Sequence, residues 1–172
     1  MKKKDLKLIE QDESKLYRYL VNLAKSEEGS SNVFLFEKYL NHNSEELRSA
    51  AIFSLLFVLK IANEAYRQEA LKYVTDKTAD FDLRQWSISG LAQTYFGKDD
   101  IQLLQLYLKH LNDSTEDEDI KPAFLRGLLN LHGVKSKNIF LKVGAFNKVN
   151  NQILTSFSPE ISEINNLIRK GP

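Results

Sequence analysis

The 172-residue chain has no cysteine, only three histidines, three prolines and seven glycines. Lacking cysteine, it has no disulfides, thiolate metal ligands or cysteine nucleophiles, and a reducing compartment suits it. No two of His42, His110 and His132 share the spacing of metal ligands. Long apolar runs are missing too, since none approaches the roughly 18 residues of a membrane span. The start, Met1 to Lys4, is basic but leads into no signal-peptide apolar core, so a cytoplasmic location is expected. Charge of one sign is lacking: 24 Lys and Arg face 23 Asp and Glu, for a net charge of +1. A dedicated duplex-DNA binder shows a clear basic excess. Gly-rich phosphate loops, HExxH and Walker-type spacings are absent, and no nucleophile stands beside a base. The three histidines fall at helix ends or turns and read as surface or capping residues. These absences predict a chain that is not an enzyme and holds neither cofactor nor metal.

What is present is helical spacing. With 42% apolar residues the chain can bury a core, and its length suits about one domain. Leu16, Tyr17, Leu20, Leu23 and Ala24 recur at three- and four-residue steps, as do Leu47, Ala50, Ala51, Ser54, Leu55 and Val58. Further stripes cover Val33–Leu40 and roughly 63–75, 81–96, 99–112, 119–132, 138–156 and 159–170. The breaks carry turn and cap residues, such as Asn41-His42-Asn43-Ser44, Asp76 to Asp80, Gly97-Lys98-Asp99 and Gly133. The pattern predicts an all-α protein with short helices and short connections.

Sliding the chain against itself exposes a repeat. Leu47-Arg48-Ser49-Ala50-Ala51 aligns with Leu83-Arg84-Gln85-Trp86-Ser87 and with Ile120-Lys121-Pro122-Ala123-Phe124. The offsets are 84−48 = 36 and 121−84 = 37. Ile52, Ile88 and Leu125 share a column, as do Leu55, Leu91 and Leu128. Between them the residue is always small: Ser54, Gly90, Gly127. A glycine inside a helix costs about 1 kcal/mol against alanine, so this column predicts close helix packing. The column of Arg48, Arg84 and Lys121 opposes the helix dipole. It makes sense if each cation reaches an acidic group or free carbonyl in the neighbouring repeat.

The acidic-apolar-basic helix starts Glu46-Leu47-Arg48, Asp82-Leu83-Arg84 and Asp119-Ile120-Lys121, with Leu55, Leu91 and Leu128, resemble those of HEAT repeats and, more loosely, armadillo-type repeats. The resemblance covers residues 32–133 as three repeats. Residues 1–28 then read as an N-terminal cap and 137–170 as a degenerate last pair, within a single domain. It implies a right-handed α-α superhelix, a HEAT-like solenoid of about four helix pairs with an N-terminal capping helix. Terminal repeats differ because their outer faces meet water.

In such a stack the second helices line a concave face. Four-residue steps then trace Ser49, Phe53 and Phe57; Gln85, Ser89 and Gln93; and Pro122, Arg126 and Asn130. Phe53 and Phe57 are either exposed contact residues, alongside Gln93 and Arg126, or are covered by the first helix through Leu16, Tyr17 and Leu20. The turns carry Asp80 and Asp82, and the run Glu116, Asp117, Glu118 and Asp119. Their carboxylates are either ordinary solvated turns or an acidic ridge that steers a basic protein. Lys2–Lys4, Lys135, Lys137, Lys142, Lys148, Arg169 and Lys170 favour the two ends, without an aromatic-basic recognition motif for nucleic acid.

Among HEAT-like enzymes, the alkylpurine DNA glycosylases use Trp, Asp and Arg on a basic concave face. Trp86, the single Trp here, occupies a column held elsewhere by alanine, which suggests packing. Nothing points to the HEAT-like bilin lyases. Small, cysteine-free helical-repeat proteins with acidic edges look like some bacterial immunity proteins. The expected function is therefore a non-catalytic protein-binding module, an immunity protein that neutralises a basic, nuclease-type toxin. The expected complex is a monomer in a 1:1 pair, with no membrane partner. A general adaptor and a DNA base-excision enzyme are the alternatives.

Overall fold

The computed structural model describes residues 11–171. The fold is all-α: among these residues helices are the only regular elements. In chain order they are α1 (Glu13–Lys25), α2 (Val33–Leu40), α3 (Glu45–Ile52), α4 (Glu64–Thr75), α5 (Phe81–Thr94), α6 (Ile101–Asn112), α7 (Lys121–Leu131), α8 (Ser136–Val143), α9 (Asn151–Ser156) and α10 (Ser158–Lys170). A 3-10 turn, Gly29–Asn32, precedes α2. Of the expected N-terminal cap, residues 1–10 lie outside the described residues, and α1 is the part that is seen.

Side-chain caps fix where most helices begin. Asp12, Ser44, Asn63, Asp80, Asp100 and Asn150 each accept a bond from a first-turn N–H of α1, α3, α4, α5, α6 and α9. Those N–H groups have no partner inside their helix. α7 and α10 carry Pro122 and Pro159 in their first turns, where the missing N–H costs nothing. The stripe over 138–156 is not one helix. Gly144, at φ +70°, turns the chain out of α8, and Asn150 caps α9 at the end of the loop 144–150.

The chain divides into two compact units, one ending at Gly90 and the other beginning at Leu91, within α5. In the first unit α1 packs on α3 and on the turn that follows it, and α2 packs on α3. Leu16, Leu20, Phe36, Leu47, Ile52 and Leu55 form its core. In the second unit α6 packs on α7, α10 on α6, and α8 on α7 and α9. Tyr107, Phe124, Leu128, Phe157 and Ile164 are buried there.

The small column does what its residue types require. A Cβ on Gly90 would stand 2.9 Å from the Leu56 Cβ, and one on Gly127 would stand 2.6 Å from Cε2 of the buried Tyr107. Ser54, in the same column, is buried and donates to the Ala50 carbonyl at 2.7 Å. The polar bonds of the cation column span few residues. Arg48 donates to the carbonyls of His42 (2.6 Å) and Asn43 (3.0 Å), in the turn just before its own helix. Arg84 donates to the Val74 carbonyl, near the end of α4, at 3.2 Å. Lys121 pairs with Glu118 at 2.5 Å. These bonds serve the turn within each cation's own helix pair, and the Arg48 guanidinium also lies 5.6 Å from the centroid of the Tyr73 ring in α4, in the next pair.

After α3 the helix widens into a π-helical turn over Phe53–Val58, where Leu59 N–H donates to the Ser54 carbonyl at 2.9 Å. Lys60, at φ +53°, ends it. The extra residue per turn changes the phase of every side chain beyond Ile52.

Candidate functional site

The acidic run sits in the turn between α6 and α7. Asp113 opens it, accepting 2.8 Å bonds from the backbone N–H and the hydroxyl of Thr115. Glu116 then points inward. It is only 4% exposed and its Oε2 lies 2.7 Å from Nδ1 of His110, itself 6% exposed. An Nδ1–H on the imidazole donates to this carboxylate whether the ring is neutral or cationic. The other oxygen, Oε1, accepts from the Asp117 N–H at 2.9 Å. The His110 ring lies flat on Phe124, with centroids 4.8 Å apart and an interplanar angle of 3°. Two expectations change here. His110 is a core residue, not a surface or capping one, and Glu116 does not belong to an exposed ridge.

Asp117, Glu118 and Asp119 stay exposed. Asp117 accepts from the Asp119 N–H at 2.9 Å, and Glu118 holds Lys121. The Asp119 carboxylate has no hydrogen-bonded or ion-paired partner among the described residues. The buried Glu116 and the Asp113 turn thus anchor a loop on which Asp117, Glu118 and Asp119 are exposed. In the first unit, Asp80 caps α5 by accepting from Leu83 N–H at 3.0 Å, and Asp82 is exposed in the first turn of that helix.

The expected concave contacts are mostly packed. Phe53 is 5% exposed and Phe57 is half-buried; their rings stack at 5.4 Å, and both meet Trp86 edge-on, at 4.6 and 5.3 Å. The Lys25 ammonium of α1 lies over the Phe53 ring at 5.3 Å. Phe53 is therefore not an exposed contact residue. The alternative, a first helix packed against this region, is what the structure contains. Gln93 is half-buried and donates to Asn130 at 3.1 Å. Of these four residues only Arg126 is exposed. Its guanidinium lies 4.6 Å from the Phe146 ring centroid and donates to the Phe146 carbonyl.

A second histidine joins three segments of the C-terminal unit. His132, at the end of α7, has Nδ1 2.7 Å from Asp99 and Nε2 3.2 Å from Glu163 of α10. Asp99 adopts φ +47°, and its N–H donates to the Leu131 carbonyl at 3.2 Å. A neutral imidazole has one N–H, so donating to both carboxylates requires the imidazolium. Partial burial disfavours that cation, but the hydrogen bonds to Asp99 and Glu163 outweigh it, and the His132 pKa is raised above its usual 6.5. Glu160, whose pKa is lowered chiefly by its bond to Lys142 against the effect of burial, adds negative charge nearby.

A raised folded pKa means that His132 stabilises the fold fully below the unfolded value. That contribution fades as pH rises through the raised folded value. In urea melts, wild type should exceed His132→Gln by more at pH 6 than at pH 8. An equal gap at both values would show that the ring is neutral in the fold.

Among the described residues no group of three or more His, Cys, Asp or Glu side chains is placed to hold a metal ion. No described helix is long and apolar enough to cross a membrane. What the site offers chemically is a set of fixed surface charges on buried anchors. The chain matches no family model, no curated protein and no solved structure.

Proposed function

We infer that the chain is a non-catalytic protein-binding module built on HEAT-like helix pairs, and that its partner is a basic protein. In its most specific form this is an immunity protein that neutralises a basic, nuclease-type bacterial toxin in a 1:1 complex. The observation that carries the reading is the α6–α7 turn. Its exposed carboxylates, Asp117, Glu118 and Asp119, are pre-organised by the buried Glu116–His110 bond. A solvated turn needs no such anchor. Fixed charges steer association without an ordering cost at the moment of binding. Asp80 and Asp82 supply a second group of carboxylates in the first unit.

An adaptor that serves several partners would use the same charges with weaker affinity. The base-excision reading finds less support, because Trp86 is packed against Phe53 and Phe57.

Affinity purification from native extract, followed by kinetics with the recovered partner, tests the proposal. One stoichiometric basic protein is expected. Asp117→Lys with Asp119→Lys should slow its association by about tenfold at low salt, with less effect at high salt. Recovery of nucleic acid without a stoichiometric protein would overturn the reading. So would a partner whose association rate ignores the charge reversal.

A further inference from the structure

The C-terminal unit also carries a surface of the opposite sign. Between Asp119 and Glu160 lie 40 residues without one Asp or Glu, and with Lys121, Arg126, Lys135, Lys137, Lys142 and Lys148. In this stretch α8 is poorly covered. Ile139 is its one buried residue, while Phe140 is 60% and Leu141 71% exposed. Beside Phe140 opens a mainly apolar pocket of about 280 Å³, walled by Ile139, Phe140, Ala145 and Phe146, with Arg126 at its edge. A polar cleft of about 510 Å³, lined by Lys142, Asn147, Lys148 and Gln152, shares Ala145 and Phe146 with it. No acidic side chain lines either cavity.

We propose that this pair of cavities is a docking site for an acidic protein segment that carries one large apolar side chain. The apolar side chain fills the pocket beside Phe140, and carboxylates next to it in the segment enter the cleft with Lys148. Size sets the anchor: the apolar pocket, at about 280 Å³, has room for one large side chain. It suits a single anchor, the form that binding hot spots take. Charge decides the flanks. Lys142 is already held by Glu160, whereas Lys135, Lys137 and Lys148 have no ion-paired partner among the described residues. An anionic membrane or a nucleic acid would meet the same lysines. Neither needs an apolar pocket that shares a wall with a cationic cleft.

Two fluorescein-labelled peptides of Asp and Glu test this on the full-length protein. They differ only in a central Trp or Ser. Anisotropy titrations at low salt should show the Trp peptide binding about tenfold more tightly. Phe140→Ser should remove that difference, and Lys148→Glu should weaken both peptides. Both side chains are exposed, so circular dichroism melts of these variants should overlay wild type. Equal binding of the two peptides, or no binding, would overturn the proposal. So would phosphatidylserine vesicles or a single-stranded oligonucleotide that binds more tightly than the Trp peptide and responds to the same substitutions.

Discussion

Glu116→Ala is expected to destabilise the C-terminal unit by about 3–5 kcal/mol, the usual cost of removing one partner of a buried ionisable pair. Glu116 and His110 are both shut off from solvent and 2.7 Å apart. Removing the carboxylate leaves Nδ1 of a ring pinned against Phe124 with no acceptor in reach, and it also strips the Asp117 N–H of its partner. The turn that presents Asp117 and Asp119 then loses its inner anchor. On the function proposed above, partner binding should fall together with stability, although the buried Glu116 side chain is itself out of a partner's reach. His110→Phe combined with Glu116→Leu removes both polar groups at once and should recover much of the loss. Urea unfolding of the variants provides the check. A Glu116→Ala loss below about 1 kcal/mol would place the pair with solvated surface ion pairs.

Phe53→Ala should be almost as costly, at about 3–5 kcal/mol, because it empties the centre of an aromatic cluster. Phe53 touches Phe57 and Trp86 and lies beneath the Lys25 ammonium of α1. Trp86 is the single tryptophan, so its emission reports on this site alone. The substitution should shift that emission to longer wavelength, as water enters, and lower the unfolding midpoint. Phe57→Ala, at a half-buried position, should cost less. A Phe53→Ala protein with wild-type stability but impaired partner binding would restore Phe53 to a contact surface and refute its structural role.

The parts of the fold that follow from local chemistry are legible in the residues themselves. Caps at Ser44 and Asp80 mark helix starts in sequence and in space alike. The alternation of large and small columns anticipates the close approaches at Gly90 and Gly127. What escapes the sequence depends on phase and on partners. Stepping by four from Ser49 assumes an unbroken α-helix, but the π-helical turn at Phe53–Val58 inserts a residue and re-aims the stripe. No residue type marks such a turn. His110 looks like a helix-exit histidine, and Glu116 looks like one acid in a run of four. Only the way the turn folds back shows that these two, six residues apart, satisfy each other. The pocket beside Phe140 depends on Gly144 breaking a stripe that reads as continuous over 138–156.

The cations that open the second helices bear on how the chain becomes ordered. Arg48 reaches back six residues, Arg84 ten and Lys121 three. Bonds of such short span close small loops, whose entropic cost is low. Each can form before distant helices have met. A chain rich in such local contacts folds quickly for its size. Newly made repeats can thus close their own turns as they leave the ribosome, without waiting for the C-terminal helices to be synthesised.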